Sequence, residues 1–259
     1  MTQIENPPRT HPTRSAAVPP VVDRSSWQAQ LDELLVREKA HTHEGDALAA
    51  ARRRLPMVEV DPTMTVTGPN GPVTLLDVFE GRRQLYVYFH MWHAHTPTAG
   101  QCEGCTFFNG QVRELAYLHS RDVTYATFCE GPYEDSVRYR DFMGWDVPWY
   151  SAKDSDPALL ADRWYGMQVC YLRDGHRVFE TYWTTGRAAE RMAPSYGILD
   201  MTAYGRQEVW EDSPSGWPQP FATNGDQFRT DGRPTSQWSR LAQGRSDTLS
   251  KPDAHEGKP

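Results

Sequence analysis

Apolar and polar positions alternate regularly only in the middle of this chain. The first regular segment has apolar residues at helical spacing, and Pro56 ends it. The apolar face of this segment consists of Trp27, Leu31, Leu34 and Leu35. We therefore predict a long amphipathic helix that opens near Ser26.

Strand-like and helix-like patterns alternate after this helix. Strands are predicted at 57–60, 64–67, 84–89, 123–128, 169–172 and 176–181, and helices at 106–120, 133–143 and 188–199. The turn Arg173-Asp174-Gly175 joins the last two strands in an antiparallel hairpin. The central order is therefore β-α-β-α followed by β-β-α.

Both ends of the chain lack such patterns and are rich in proline and small polar residues. We expect a disordered arm at 1–24, a folded domain at 25–212 and a largely irregular tail at 213–259. Aromatic residues in the tail show no period, and they remain free to dock on the domain or on another subunit. Docking on another subunit would form a homo-oligomer, and the sequence is compatible with this.

Composition and charge exclude several classes of protein. The net charge of −7 argues against nucleic acid as the main partner. No apolar run is long enough to span a membrane, and no apolar core follows Arg9 and Arg14 to make a secretory signal. Four cysteines among 259 residues are typical of a reduced, intracellular protein, so we expect a cytoplasmic location.

Cys102 and Cys105 form a C-x-x-C pair between the strand at 84–89 and the next helix. At a helix N-terminus, free N–H groups and the helix dipole stabilise a thiolate, so Cys102 is the candidate nucleophile. Cys105, one turn further, is the candidate resolving thiol. Glu103 opposes this assignment because an acidic neighbour disfavours the thiolate.

Histidines in the preceding loop support an alternative chemistry. His93 and His95, together with Cys102 and Cys105, would make a Cys₂His₂ set that suits zinc or copper. His90 could be another ligand, or a base beside Cys102. The plainer interpretation is a solvent-exposed loop whose histidines have no further role.

The predicted sheet brings further groups toward the same edge. Cys129 follows the second parallel strand, and Cys170 lies near the start of an antiparallel one, so both are expected near the C-x-x-C pair. Each is a candidate third thiol or an ordinary buried cysteine. A non-catalytic binding module is a further hypothesis. Its ligand pocket would be formed by the aromatic residues Trp145, Trp149, Tyr150 and Trp164. The plainer interpretation is that these aromatic side chains form a core cluster.

Several short motifs resemble those of one bacterial family. They are Glu38-Lys39-Ala40, Arg53-Arg54-Leu55-Pro56, the run from Leu75 to Arg82, the run from Cys102 to Phe107, Met143-Gly144-Trp145 and Arg173-Asp174-Gly175. Over residues 26–212 the chain is similar to an uncharacterised thioredoxin-like family, catalogued as a domain of unknown function. That family is distantly similar to the peroxiredoxin and alkyl hydroperoxide reductase group.

The resemblance implies a thioredoxin-like α/β fold with a central mixed sheet flanked by helices, plus an added N-terminal helix and hairpin. It also implies a cysteine-based site. By approximate counting, Met167 stands where thioredoxins place the proline that faces their thiols, and this absence of proline favours metal binding.

We predict a thiol-dependent oxidoreductase that uses Cys102 and Cys105 in thiol-disulfide or peroxide-type chemistry. Its substrate would be a small-molecule or protein thiol or disulfide. The alternative is a copper- or zinc-binding metalloprotein that uses the cysteine pair with His93 and His95.

Overall fold

A mixed sheet of eight strands organises residues 17–222 and 226–229, the part of the chain that this computed structural model describes. The strands are β1 (Val58–Val60), β2 (Thr65–Gly68), β3 (Gly71–Thr74), β4 (Gln84–His90), β5 (Val123–Cys129), β6 (Trp149–Ser151), β7 (Gln168–Asp174) and β8 (Arg177–Thr184).

Helices cover both faces of this sheet. They are α1 (Arg24–Arg52), α2 (Leu75–Val78), α3 (Glu103–Gln111), α4 (Ala116–His119), α5 (Tyr133–Met143), α6 (Asp156–Leu160) and α7 (Pro194–Asp200). Short 3₁₀ segments lie at Thr98–Gly100, Lys153–Ser155, Gly186–Met192 and Asp226–Phe228.

The strand order defines the fold. Across the sheet the order is β1-β8-β7-β4-β5-β6-β2-β3, with β4, β5 and β6 parallel to one another and the other pairings antiparallel. Its centre, β8-β7-β4-β5, is the thioredoxin arrangement, in which a β-α-β unit is followed by an antiparallel hairpin. The predicted thioredoxin-like fold, with its added N-terminal helix and β2–β3 hairpin, is therefore confirmed.

Two apolar clusters pack on opposite faces of the sheet. Successive residues of a strand point to opposite faces, so Val87 and Phe89 join one cluster while Tyr88 joins the other. The first cluster is aliphatic and phenylalanine-rich. The second contains tyrosines, tryptophans and the thiols of Cys105 and Cys129, so we call it the thiol-side cluster.

Helix α1 forms as predicted, but its apolar face does not pack on the domain. Asp23 caps it by accepting hydrogen bonds from the N–H groups of Ser25 and Ser26, each at 2.9 Å. None of its residues is buried, and Trp27 and Leu34 remain 45% exposed.

Two predicted helices are each divided in the structure. The helix expected at 106–120 separates into α3 and α4, because Val112 is extended and the Glu114 side chain accepts a hydrogen bond from the Ala116 N–H at 2.7 Å. The helix expected at 188–199 is a 3₁₀ segment followed by α7. Pro194 causes this division, because it has no N–H to continue a helix but suits a first turn.

Parts of both predicted irregular ends, residues 1–16, 223–225 and 230–259, lie outside the described residues. In the described part of the tail, Trp217 packs edge-on against Tyr204 with ring centroids 5.3 Å apart. Phe228 packs against Phe107 at 5.2 Å. Within 17–222 and 226–229, no helix has the length and apolarity needed to cross a membrane.

Candidate active site

Cys102 is the N-cap residue of α3, at the strand-to-helix junction that the sequence predicted. Its Sγ accepts a hydrogen bond from the Cys105 N–H at 3.5 Å. The side chain is partly buried and lines an open cleft of about 330 Å³ together with His93 and Gly104. The sulfur is therefore both accessible to a substrate and adjacent to free helix N–H groups.

These surroundings lower the pKa of Cys102 to about 6. The largest cause is a hydrogen bond from the Cys105 thiol, and the N–H groups of Cys105 and Gly104 also lower the pKa. The charge of His93 acts in the same direction, while burial raises the pKa and opposes these effects. At neutral pH Cys102 is therefore mainly a thiolate.

Cys105 lies beneath Cys102 and is only 3% exposed. Its Sγ accepts a hydrogen bond from the Met91 N–H at 3.4 Å. The hydrogen bond to Cys102 and burial raise the pKa of Cys105 well above its ordinary value, although the Tyr88 hydroxyl and the Met91 N–H oppose this. Both thiols are free, so the structure represents the reduced dithiol.

The loop before the C-x-x-C pair is held by the buried side chain of Gln101. Its amide nitrogen donates to the carbonyl oxygens of His93 and Thr96, and its amide oxygen accepts from the His93 N–H at 3.0 Å. His93 Nδ1 lies 2.8 Å from the carbonyl oxygen of Gly100. His93 is thereby fixed beside Cys102.

The predicted Cys₂His₂ set is not assembled as one cluster. His93 lines the Cys102 cleft, whereas His95 lines a different cavity beside Trp92 and Glu130. Within residues 17–222 and 226–229, no group of three or more His, Cys, Asp or Glu side chains is placed to hold a metal ion. His95 itself adopts a left-handed backbone conformation with φ 59°, so the loop changes direction at this residue.

His90 is neither a ligand nor a base beside Cys102. It is fully buried at the end of β4, where its ring contacts those of Trp145 and Trp149. Asn109 Nδ2 donates a hydrogen bond to His90 Nδ1 at 2.7 Å. Burial, with a smaller contribution from His93, lowers the pKa of His90 to about 3, so it stays neutral.

Asn109 is the centre of a buried network that sequence reasoning missed. Its Oδ1 accepts hydrogen bonds from the Tyr125 hydroxyl at 2.9 Å and from the Thr127 hydroxyl at 3.0 Å. The network ties α3 to β4 and β5, and so fixes the helix that carries Cys102. The sequence signal that could have revealed this network is the polar amide of Asn109 beside Phe107 and Phe108 in α3.

Sequence reasoning also missed the partner of Glu103. Arg229 pairs with this carboxylate at 3.1 Å, and Phe228 packs on α3 beside it. The ion pair offsets the negative charge that the sequence placed next to the thiolate. Arg229 lies in the predicted irregular tail, so no local pattern connected it with Cys102.

Replacing Arg229 with glutamine is expected to raise the pKa of Cys102, because the negative charge of Glu103 would then act on the thiolate without compensation. The rate of alkylation by iodoacetamide, followed against pH, should have a midpoint near 6 in the unmodified protein. The variant should have a higher midpoint and react roughly twofold more slowly at a pH of about 6.5.

Arg121→Gln, which removes an exposed arginine elsewhere, is the matched control. Coinciding profiles for Arg229→Gln and the control would show that the ion pair does not influence the thiolate.

Of the other two cysteines, only Cys129 lies near the site. Cys129 is buried in the thiol-side cluster, where it accepts a hydrogen bond from the Gly131 N–H. Cys170 pairs with Tyr86 near the opposite end of β4, so the predicted convergence was wrong for Cys170. The separation of four residues from Tyr86 to His90 corresponds to roughly 13 Å along a strand.

The remaining sequence hypotheses concern the aromatic pocket and Met167. Trp145 and Trp149 are buried in the thiol-side cluster, while Trp164 is 84% exposed, so the proposed aromatic pocket does not form. Met167 immediately precedes β7 but packs in the first cluster, on the opposite face of the sheet from Cys105.

Comparison with known families gives a match over most of the chain. Residues 16–243 match a family described as "Bacterial protein of unknown function (DUF899)". The chain belongs to this family. This match agrees with the family resemblance found in the sequence. A comparison with curated proteins gave no match.

Among solved structures, the chain is similar to a protein described as thiol:disulfide interchange protein DsbE from Chlorobium tepidum. The identity is 18% and the TM-score 0.38, over 56% of this chain and 96% of the other. It is also similar to peroxiredoxin Q from Xanthomonas campestris, with 16% identity and a TM-score of 0.37 over 56% and 97% of the two chains.

Proposed function

We propose that this protein is a thiol-disulfide oxidoreductase in which Cys102 is the nucleophile and Cys105 the resolving thiol. The observation that carries the proposal is the asymmetry of the pair. One sulfur is accessible and has a lowered pKa, and the other is buried directly beneath it with a raised pKa. Such asymmetry gives each thiol a separate role in disulfide exchange.

In the first step, the Cys102 thiolate attacks one sulfur of a substrate disulfide. The substrate S–S bond breaks, a mixed disulfide forms, and the departing thiolate takes up a proton. The charge on Cys102 disappears in this step. Because that thiolate is a principal cause of the raised pKa of Cys105, its loss makes the buried thiol easier to deprotonate.

In the second step, Cys105 loses its proton to solvent and attacks Cys102 Sγ. A Cys102–Cys105 disulfide forms, and the second substrate thiolate leaves and takes up a proton. Two electrons pass from the protein dithiol to the substrate disulfide. An external dithiol is needed to reduce the protein for another cycle.

The proposal is tested by titrating the reduced protein with oxidised glutathione. Two thiols per chain should be lost together and recovered together with dithiothreitol. The Cys105→Ser variant should instead accumulate one stable glutathione adduct on Cys102, because no resolving thiol is present. Mass spectrometry of the intact protein distinguishes the two products.

Hydrogen peroxide serves as a second oxidant in the same experiment. If the thiols are lost faster with peroxide than with the disulfide, the reaction of this protein is peroxide reduction and not disulfide exchange. If neither oxidant removes the pair of thiols reversibly, the proposed function is wrong.

A further inference from the structure

A third cavity, distinct from the Cys102 cleft and from the cavity lined by His95, opens on the thiol side of the sheet. Its volume is about 370 Å³, and it lies between the strands β4, β5, β7 and β8, the end of α1, the segment after α3, helix α4 and the 3₁₀ segment Gly186–Met192. Sites for small organic ligands have volumes of about 300–1,000 Å³. The cavity is therefore large enough for a small organic molecule.

The walls of this cavity are mainly apolar. Tyr86 and Tyr125 stack with ring centroids 5.7 Å apart and planes inclined by 19°, and both line the cavity. Val112, Leu118, Val123 and Met192 add to the apolar lining. An apolar ligand body would bury its surface against these side chains.

Two arginines also line the cavity. The guanidinium of Arg52 lies over the ring of Tyr182, 5.3 Å from its centroid, and Arg191 is exposed at the end of the 3₁₀ segment. Burial alone would raise the pKa of Tyr182, but hydrogen bonds from Thr184 and Arg52 and the charges of both arginines lower it overall. Both positive charges therefore act on the same side of the cavity.

Within residues 17–222 and 226–229, neither arginine is neutralised by a carboxylate, although Arg52 also contacts Tyr182. Among the described residues, Arg52 and Arg191 form no ion pair with a carboxylate, whereas the nearby Arg187 and Arg206 both pair with Glu190. Unpaired guanidinium groups beside an apolar cavity are complementary to an anionic oxygen group.

A third donor is buried in the cavity wall. Gln168 is only 4% exposed, and its Nε2 has no hydrogen-bond partner within the described part of the chain. A buried N–H group without a partner costs free energy, and an oxygen atom of a ligand would remove that cost. Gln168 lines the same cavity as the arginines, so the polar groups converge there.

We infer that this cavity binds a small carboxylic acid with an apolar body. The carboxylate is held by Arg52 and Arg191, and the apolar body lies against the stacked pair Tyr86 and Tyr125. Gln168 donates to an oxygen of the ligand. The inference does not depend on the redox chemistry proposed for Cys102.

The cavity and the buried thiol lie on the same face of the sheet, because several lining residues belong to the thiol-side cluster. Gln168 pairs with Tyr88 across β7 and β4, and the Tyr88 side chain is one of the groups that lower the pKa of Cys105. Tyr88 is therefore the cross-strand neighbour of Gln168 on the face of the sheet that carries Cys105.

The inference is tested by isothermal titration of the full chain with sodium octanoate. One equivalent should bind, and the neutral 1-octanol should bind at least about tenfold more weakly because it offers the arginines no charge. Each of Arg52→Gln and Arg191→Gln should weaken octanoate binding about tenfold. Gln168→Met keeps the side-chain length without the donor, and should weaken binding severalfold.

Arg53→Gln is the matched control, because this exposed neighbour on the same helix end does not line the cavity. Its octanoate affinity should equal that of the unmodified protein. No binding of octanoate, equal affinity for octanoate and octanol, or equal weakening by Arg53→Gln and Arg52→Gln would each overturn the inference. Because the assay measures no redox reaction, its failure would leave the proposed function untouched.

Discussion

Replacing Cys102 with serine is expected to abolish disulfide reduction. A serine hydroxyl remains protonated at neutral pH, so the variant has no anionic nucleophile at the N-terminus of α3. The rate of reduction of a model disulfide should fall by a factor of at least about a thousand, the scale on which enzymes lose activity when a covalent nucleophile is removed. Oxidised glutathione reduction, coupled to a dithiol that regenerates the protein, measures this loss.

Cys129→Ser and Cys170→Ser are the matched controls for this experiment. Cys129 is buried in the thiol-side cluster, and burial, with a contribution from Glu180, raises the pKa of Cys170 to about 11. Neither thiol is required by the proposed exchange, so both variants should keep most of the activity. Activity that survives in Cys102→Ser but disappears in Cys129→Ser would assign the nucleophile to Cys129 instead.

Replacing Asn109 with leucine is expected to destabilise the protein by about 3–5 kcal/mol, given about 1–3 kcal/mol for each buried polar group left without a partner. Leucine has a similar size but cannot hydrogen-bond. The variant would leave His90 Nδ1 and the hydroxyls of Tyr125 and Thr127 without the partner that now satisfies all three. Urea unfolding of the reduced protein, followed by circular dichroism, measures the change in the free energy of unfolding.

Two controls separate this network from general effects of the substitution. Thr127→Val removes one hydrogen bond while Asn109 keeps Tyr125 as a donor, so it should cost only about 1 kcal/mol. Asn70→Leu makes the same chemical change in an exposed turn and should cost less than about 1 kcal/mol. A loss for Asn109→Leu no larger than that for Asn70→Leu would mean that the network does not hold α3 in place.

Much of the fold could be predicted from the sequence because its signals are local. The largely apolar runs of β4 and β5, the Asp174-Gly175 turn and the C-x-x-C pair at a strand end each occupy a few consecutive residues. Together they determined the element order and the position of Cys102 at a helix N-terminus. Cys102 and Cys105 were identified for the same reason.

The errors arose where contacts between distant segments decide the outcome. Helical spacing predicted an apolar face on α1, but it could not reveal that none of these residues would be buried in the domain. Strand order alone suggested that Cys170 approaches the thiols. The register of β7 against β4 instead places Cys170 beside Tyr86. A few residues along a strand correspond to about 10 Å or more, several hydrogen-bond lengths, so Cys170 lies too far from the end of β4 to contact the thiol pair.

The sequence by itself therefore determined the thioredoxin-like order and the thiol pair, since both depend on periodicity and spacing within short segments. Only the tertiary structure decided the environment of those thiols. It separated His93 from His95, buried His90 against Asn109, and brought Arg229 to Glu103 from 126 positions away. These contacts set the charge and burial around Cys102 and Cys105, and charge and burial control thiol reactivity.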